Sequence, residues 1–248
     1  MYHFFVATSQ IADGYAVITG QDVNHIRNVL RMKAGEKIGV RDGISRNYIC
    51  ELETMEPEFV RARILSEETD SSELSARLYL FQGLPKGDKM ELIIQKAVEL
   101  GACEIIPVAT RRSVVKLDKK KEENKVRRWN AIAESAAKQS GRMQIPEVKG
   151  VMTLAEAFSY SEKFDINLIP YELEEGMEKT REILGRIKPG MQAGIYIGPE
   201  GGFDREEVEA AVKKGIHPIT LGRRILRTET AGLAILSVLM MKLEGALS

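Results

Sequence analysis

The hydrophobic period of this chain changes once, near residue 74, and that change limits the folds open to it. Before it, apolar residues come in short runs at 4–6, 15–18, 37–40, 48–52 and 59–65, with turn signals at Asp13-Gly14 and Arg41-Asp42-Gly43. One amphipathic helix is expected over 21–31, with Val23, Ile26, Val29 and Leu30 on one side. Strands at this spacing predict a small β-barrel over residues 1–70. The polar run 67–73 has no apolar period and reads as a linker. After it, strands at 78–82, 104–108, 165–169, 194–197 and 216–221 alternate with helical stretches. The helix at 88–100 is closed by Gly101, and a long helix spans 119–140. Asp204 with Glu207 reads as a capping box whose helix Gly215 closes, and 229–242 forms the last helix. Such alternation predicts an α/β domain with a mainly parallel sheet over residues 74–248.

Composition excludes several classes. A chain of 248 residues with 44% hydrophobic and 29% charged residues can build one large or two modest cores. The longest apolar run, 231–241, is about half the 20 or so residues a bilayer needs, so no membrane span is expected. The first residues, MYHFFVATSQ, have no basic stretch followed by a long apolar one, so no secretory leader is expected. Cys50 and Cys103 lie far apart and outside any metal spacing, which fits a reducing cytoplasm. Three histidines leave no His-rich site, and no metal is expected.

The formal net charge is zero, yet the charges are segregated along the chain. Residues 111–149 hold twelve basic and five acidic side chains, a balance of +7. Residues 150–210 hold six against thirteen, a balance of −7, and 51–70 add a further −5. A neutral protein built this way can still present a face to a polyanion. On the long helix, Lys119, Lys120, Lys121, Lys125, Arg127, Arg128 and Lys138 flank a core stripe of Val126, Ala133, Ala136 and Ala137, and Arg142 follows just past its end. Trp129 could stack on a base, although a tryptophan on a helix more often packs in a core.

Ligands of open parallel sheets sit beyond the carboxyl ends of the strands. Three loops are placed for this: Ile169-Pro170-Tyr171-Glu172, then Ile197-Gly198-Pro199-Glu200-Gly201-Gly202-Phe203, then Leu221-Gly222-Arg223-Arg224-Ile225-Leu226-Arg227-Thr228-Glu229-Thr230-Ala231. Neither the dinucleotide nor the NTP glycine signature occurs. Thr228 or Thr230 is expected to cap the final helix, and Glu229 suits its positive end. Three arginines at the mouth of an apolar helix suggest an anionic partner.

These loops, with the blocks Gly83-Leu84-Pro85-Lys86-Gly87-Asp88-Lys89-Met90-Glu91, Gln95–Gly101, Arg111-Arg112-Ser113 and Glu134–Arg142, resemble the ribosomal RNA small subunit methyltransferase E family. The resemblance runs through nearly the whole chain, including His25-Ile26-Arg27-Asn28-Val29-Leu30-Arg31. It implies a PUA-like barrel before a SPOUT-type domain with a C-terminal trefoil knot, working as a cytoplasmic homodimer. It also implies S-adenosylmethionine as methyl donor and N3 of one uridine, position 1498 in customary numbering, of 16S rRNA in the assembled small subunit as acceptor. By the same resemblance Leu168, Ile169 and Pro170 would wall the cofactor. Gly198, Glu200 and Gly202 would line its ribose and methionine side, and Leu221, Gly222, Leu226 and Thr230 would close around the adenine. The family often carries His-Glu where this chain has Tyr171-Glu172.

Uracil N3 holds a proton and attacks poorly until that proton leaves, so the protein must align the attack and stabilise a uracil anion. Arg227 and Arg224 are the candidates for the phosphate or for the O2/O4 charge. Glu229 is the candidate proton acceptor and Glu200 the second. Arg27, Arg31, Arg111, Arg112, Gln139 and Arg142 are the candidate RNA contacts. A SPOUT enzyme acting on transfer RNA, or an inactive RNA-binding assembly factor, are the competing readings.

Overall fold

The computed structural model describes residues 1–44, 46–68, 72–115, 117–174 and 176–246. It divides into two compact units, 1–73 with 137–145, and 74–136 with 146–248.

In the first unit, strands β1 (His3–Phe5), β2 (Ile11–Ala12), β3 (Tyr15–Thr19), β4 (Lys37–Arg41), β5 (Asn47–Met55) and β6 (Phe59–Glu68) form one sheet in the order β1-β4-β5-β6-β3-β2. Only the β1–β4 pair is parallel. Strands β1 and β2 end the ladder on opposite sides, yet only residues 6–10 separate them in sequence. A flat six-stranded sheet would hold its ends about 24 Å apart, and six residue steps span at most about 21 Å. The sheet must therefore curl, and it does so around Phe4, Ile18, Ile26, Ile38, Val40, Leu52 and Val60.

Two expectations are corrected here. The helix expected over 21–31 stops as α1 (Gln21–Asn24) and continues as a wider π turn over His25–Val29. Leu30 N–H donates to the His25 carbonyl five residues back, and Arg31 at φ +53° ends the run. The linker expected over 67–73 begins later, because Glu67 and Glu68 pair with Tyr48 and Asn47 in β6; residues 69–71 of that expected linker lie outside the described residues. By contact, residues 137–145 group with the first unit. Within that unit the Lys138 ammonium meets Asp22 at 3.1 Å, and Arg41 Nη1 donates to the Arg142 carbonyl at 3.0 Å.

The second unit contains β7 (Arg77–Gly83), α2 (Lys89–Glu99), β8 (Ala102–Ala109), most of α3 (Lys119–Ser140), β9 (Glu147–Val148) and β10 (Met152–Thr153). It continues through α4 (Leu154–Ser161), β11 (Ile166–Pro170), α5 (Met177–Gly185), β12 (Gln192–Ile197), α6 (Arg205–Lys213), β13 (His217–Ile219) and α7 (Thr228–Leu243). The sheet is parallel throughout, in the order β10-β8-β7-β12-β11-β13, with β9 also on β8. Its strands are continuous apolar runs because both faces are covered. Tyr79, Phe81 and Tyr196 pack with Phe158 of α4 and Val208 of α6 on one face. Leu80, Gln82 and Ile197 point to the other, where Gly232 of α7 lies against them. Asp204 caps α6 as expected, its carboxylate accepting from Glu206 N–H while Glu207 reaches back to Asp204 N–H. Helix α7 differs: its N-cap is Arg227, with no side-chain capping bond, and Thr228 is already helical. No helix among the described residues is long and apolar enough to cross a membrane.

Candidate active site

The carboxyl ends of β11, β12 and β13 open into one pocket, and the three expected loops all contribute to it. Its lining includes Pro170, Tyr171 and Glu172 from the first, Gly198, Pro199, Glu200 and Gly202 from the second, and Leu221, Gly222, Arg223, Arg224, Ile225 and Leu226 from the third. Among the candidates, Leu168 and Ile169 are fully buried in β11 and do not line it. Thr230 lies exposed on α7, and Arg227 and Glu229 stand outside the lining. Of the lining only Thr220 lies outside the three expected loops, one residue before the third; Phe203, Thr228 and Ala231 belong to those loops, and no cofactor contact was expected of them individually.

The second loop sits tight against the end of β7. A Cβ on Gly83 would stand 2.7 Å from the Pro199 backbone nitrogen, so only glycine permits this approach. Thr228 ties the same loop to α7. Its Oγ1 donates to the Gly198 carbonyl at 2.6 Å and accepts from Gln82 Nε2 at 2.9 Å. Gln82 is itself fully buried and also donates to the Gly83 carbonyl at 3.0 Å, while its Oε1 is buried without a hydrogen bond. Arg112 clamps the loop from the side, donating from Nη1 to the Gly201 carbonyl at 2.7 Å.

Both candidate proton acceptors meet one lysine that the sequence reading did not single out for chemistry. Lys89 Nζ lies 2.9 Å from Glu200 Oε1 and 3.5 Å from Glu229 Oε2. Lys86 N–H also donates to Glu200, at 3.1 Å to Oε1. Burial pushes the Glu200 carboxyl up, but the Lys89 ammonium and the backbone N–H donors outweigh it and hold the group below the usual glutamate range. Glu229 is mostly buried, and its Oε2 has no hydrogen bond.

The arginines divide into two sets. Arg223, Arg224 and Arg227 are exposed and make no ion pair among the described residues. Burial therefore does not force an anion on them, contrary to expectation; what they present is free positive charge. Arg111 and Arg112 are also exposed but engaged: Arg111 Nη1 meets Glu206 at 2.5 Å, its N–H donates to Glu207, and Arg112 reaches Asp204 at 3.4 Å. Among the other RNA candidates, Gln139 and Arg31 are exposed and Arg27 is half-buried. Arg142 is corrected. It is 3% exposed, and its guanidinium is held by the Glu73 carboxylate, so it is a buried structural pair instead of a surface contact. Trp129 is buried as well, with Lys125 Nζ 5.8 Å from its ring centroid, and no face is open for a base.

Comparison with known proteins finds a separate domain model for each end of the chain. An RNA methyltransferase domain model matches residues 72–240, and an RNA methyltransferase PUA domain model matches 18–65. The ribosomal RNA small subunit methyltransferase E of Bacillus subtilis is 39% identical over 232 residues, covering 92% of this chain and 90% of that protein. The protein of the same name from Mesomycoplasma hyopneumoniae is 31% identical over 96% of this chain and 98% of its own length. The crystal structure of the Neisseria gonorrhoeae enzyme of this name, bound to S-adenosyl methionine, superposes with a TM-score of 0.82 at 33% identity, covering 98% of each chain. A Legionella pneumophila methyltransferase in complex with the same cofactor gives 0.83 at 31% identity, covering 97% of each chain. With its site loops, both matched domains and full-length relatives in agreement, the chain belongs to the ribosomal RNA small subunit methyltransferase E family.

Proposed function

We propose that this protein transfers a methyl group from S-adenosylmethionine to uracil N3 of one uridine in 16S rRNA of the small ribosomal subunit, acting in the cytoplasm as a homodimer. The observation that carries the reading is the convergence of three sequence-distant loops on one pocket at the carboxyl ends of β11, β12 and β13. The pocket suits a nucleoside sulfonium. Pro170, Leu221, Leu226 and Ala231 offer an apolar wall. A Cβ on Gly198 would stand 2.9 Å from the Gly202 backbone, so backbone edges form that side.

When bound, the cofactor supplies an already activated methyl. The chain's task is to free the N3 lone pair and to support the uracil anion. Glu229 is the better acceptor for the N3 proton, because its Oε2 lacks a hydrogen bond while both Glu200 oxygens are engaged. Arg224 and Arg227 carry the unpaired charge that suits O2, O4 or the flanking phosphates. Strand β13 ends one edge of the ladder, yet the chain after it returns to pack α7 on α2 and β7; this supports reading the C-terminal segment as the trefoil knot of the SPOUT fold.

The test uses labelled S-adenosylmethionine and small subunits from cells lacking this methylation, with the product nucleoside identified by mass and chromatography. 3-Methyluridine in 16S rRNA is the expected product. Label confined to transfer RNA or to a ribose would refute the reading.

A further inference from the structure

Ile225 is the most exposed large apolar side chain among the described residues, at 84%. It stands at the rim of the pocket, between Arg224 and Leu226. The loop that presents it is tied down on both sides. Thr220 N–H donates to Thr180 Oγ1 at 3.0 Å, Gly222 N–H donates to Thr220 Oγ1 at 3.2 Å, and Thr228 Oγ1 holds the Gly198 carbonyl. An isoleucine left in water contributes nothing to the fold. Held on an anchored loop, it is pre-organised for a partner.

The charge around it says which partner. Residues 221–228 hold three arginines and no acid, and none of the three is paired among the described residues. A second copy would have to bring acids to these arginines from elsewhere in the chain, since residues 221–228 supply none. A nucleic acid strand offers what the tip lacks, phosphates for the guanidinium groups and a base stack for the apolar side chain. Methylation at uracil N3 adds a geometric need. Uracil N3 lies on the Watson–Crick edge and reaches a pocket only after its base leaves the stack.

We propose that Ile225 is a wedge that enters the RNA stack beside the target nucleotide and fills the space the extruded base leaves, with Arg223, Arg224 and Arg227 gripping the phosphates around it. This rests on the RNA-methylation reading and adds the residue that opens the RNA. Leucine keeps the wedge and alanine removes it, so the two variants separate apolar bulk from other effects.

The experiment measures single-turnover methyl transfer to unmethylated small subunits for wild type, Ile225→Ala and Ile225→Leu, at saturating cofactor and enzyme. S-adenosylmethionine affinity, subunit affinity and sedimentation are measured in parallel. The expected result is transfer slowed at least about tenfold in Ile225→Ala and within about threefold of wild type in Ile225→Leu. Ile225 stands at the pocket rim, so cofactor affinity is expected to change far less than transfer in either variant, and sedimentation is expected to stay unchanged in both. Wild-type transfer by Ile225→Ala overturns the wedge, as does equal slowing in both variants. A tenfold loss of cofactor affinity would make Ile225 a pocket wall, and altered sedimentation would make it a contact between copies; either overturns the wedge. If the wild-type chain itself methylates no subunit RNA, the underlying reading falls and takes the wedge with it, an outcome distinct from an active wild type with an equally active Ile225→Ala.

Discussion

Replacing Thr228 by valine keeps the shape of the side chain and removes the hydroxyl that joins α7, the Gly198–Gly202 loop and Gln82. Thr228 is 5% exposed, so water does not readily take the place of the lost group. The Gly198 carbonyl loses a donor at 2.6 Å, and Gln82 Nε2 loses one of its two acceptors. A buried polar group left without its partner costs about 1–3 kcal/mol. With Gln82 still bonded to Gly83, the sum comes to about 2–4 kcal/mol. Trp129, the only tryptophan, is buried in the second unit, so its fluorescence during urea unfolding reports on the unit that carries the change. The expected result is a lower urea midpoint of that transition and weaker S-adenosylmethionine binding by calorimetry, with Thr228→Ser close to wild type in both. A valine variant within about 0.5 kcal/mol of wild type, the range of ordinary surface changes, and with unchanged cofactor affinity would refute the reasoning.

Three further outcomes are expected. Glu73→Ala removes a carboxylate that holds the buried Arg142 guanidinium and accepts from the Met143 and Gln144 N–H groups; a loss of about 1–3 kcal/mol is expected, and near-neutral unfolding would contradict the pair's burial. His217 is held below the usual histidine range by burial and by Arg186 and Lys179, so the unfolded chain takes up protons more readily; stability is full above about pH 6.5 and falls on acidification below it, and His217→Asn should flatten that slope. Lys89→Met should raise the titration of the Glu200 carboxyl, seen by carbon NMR, and slow methyl transfer; an unmoved Glu200 titration would show that Lys89 does not govern it.

Much of the architecture was legible because local signals agreed with the tertiary result. The long helix at 119–140, the Asp204 capping box and the parallel strands over 166–170 and 192–197 stand where apolar period and caps place them. Helix α4 was legible in principle, since Thr153 and Glu156 form a capping box that a Thr-x-x-Glu search would find. What sequence could not show was decided by contacts between distant residues. Arg142 belongs to a run of basic residues, and only the fold brings Glu73 to it. Lys89 looked like an ordinary helix start until Glu200 and Glu229 arrived beside it from residues more than a hundred positions away. The three pocket loops could be picked out because strand-end position and glycine content act locally; their convergence is a property of the sheet order.

Charge that is segregated along the chain is not segregated to the same degree in space. The acid-rich stretch after residue 150 returns Asp204, Glu206 and Glu207 to Arg111 and Arg112, at the start of the basic stretch. Arg128 is taken by Glu91, Lys138 by Asp22, Arg142 by Glu73 and Lys149 by Glu104 and Glu147. A balance of +7 along residues 111–149 thus overstates the charge free to meet phosphate. The unpaired arginines of residues 223–227 come from a different part of the sequence. Each phosphate contact contributes roughly one unit to the slope of log affinity against log salt. Arg224→Ala should therefore flatten the salt dependence of subunit binding by about one unit. Arg111→Ala should change it much less, because that guanidinium already faces two carboxylates, Asp204 and Glu206. Equal flattening by both would show that the internal pairs give way to RNA, and the steep term would then belong to the whole basic run.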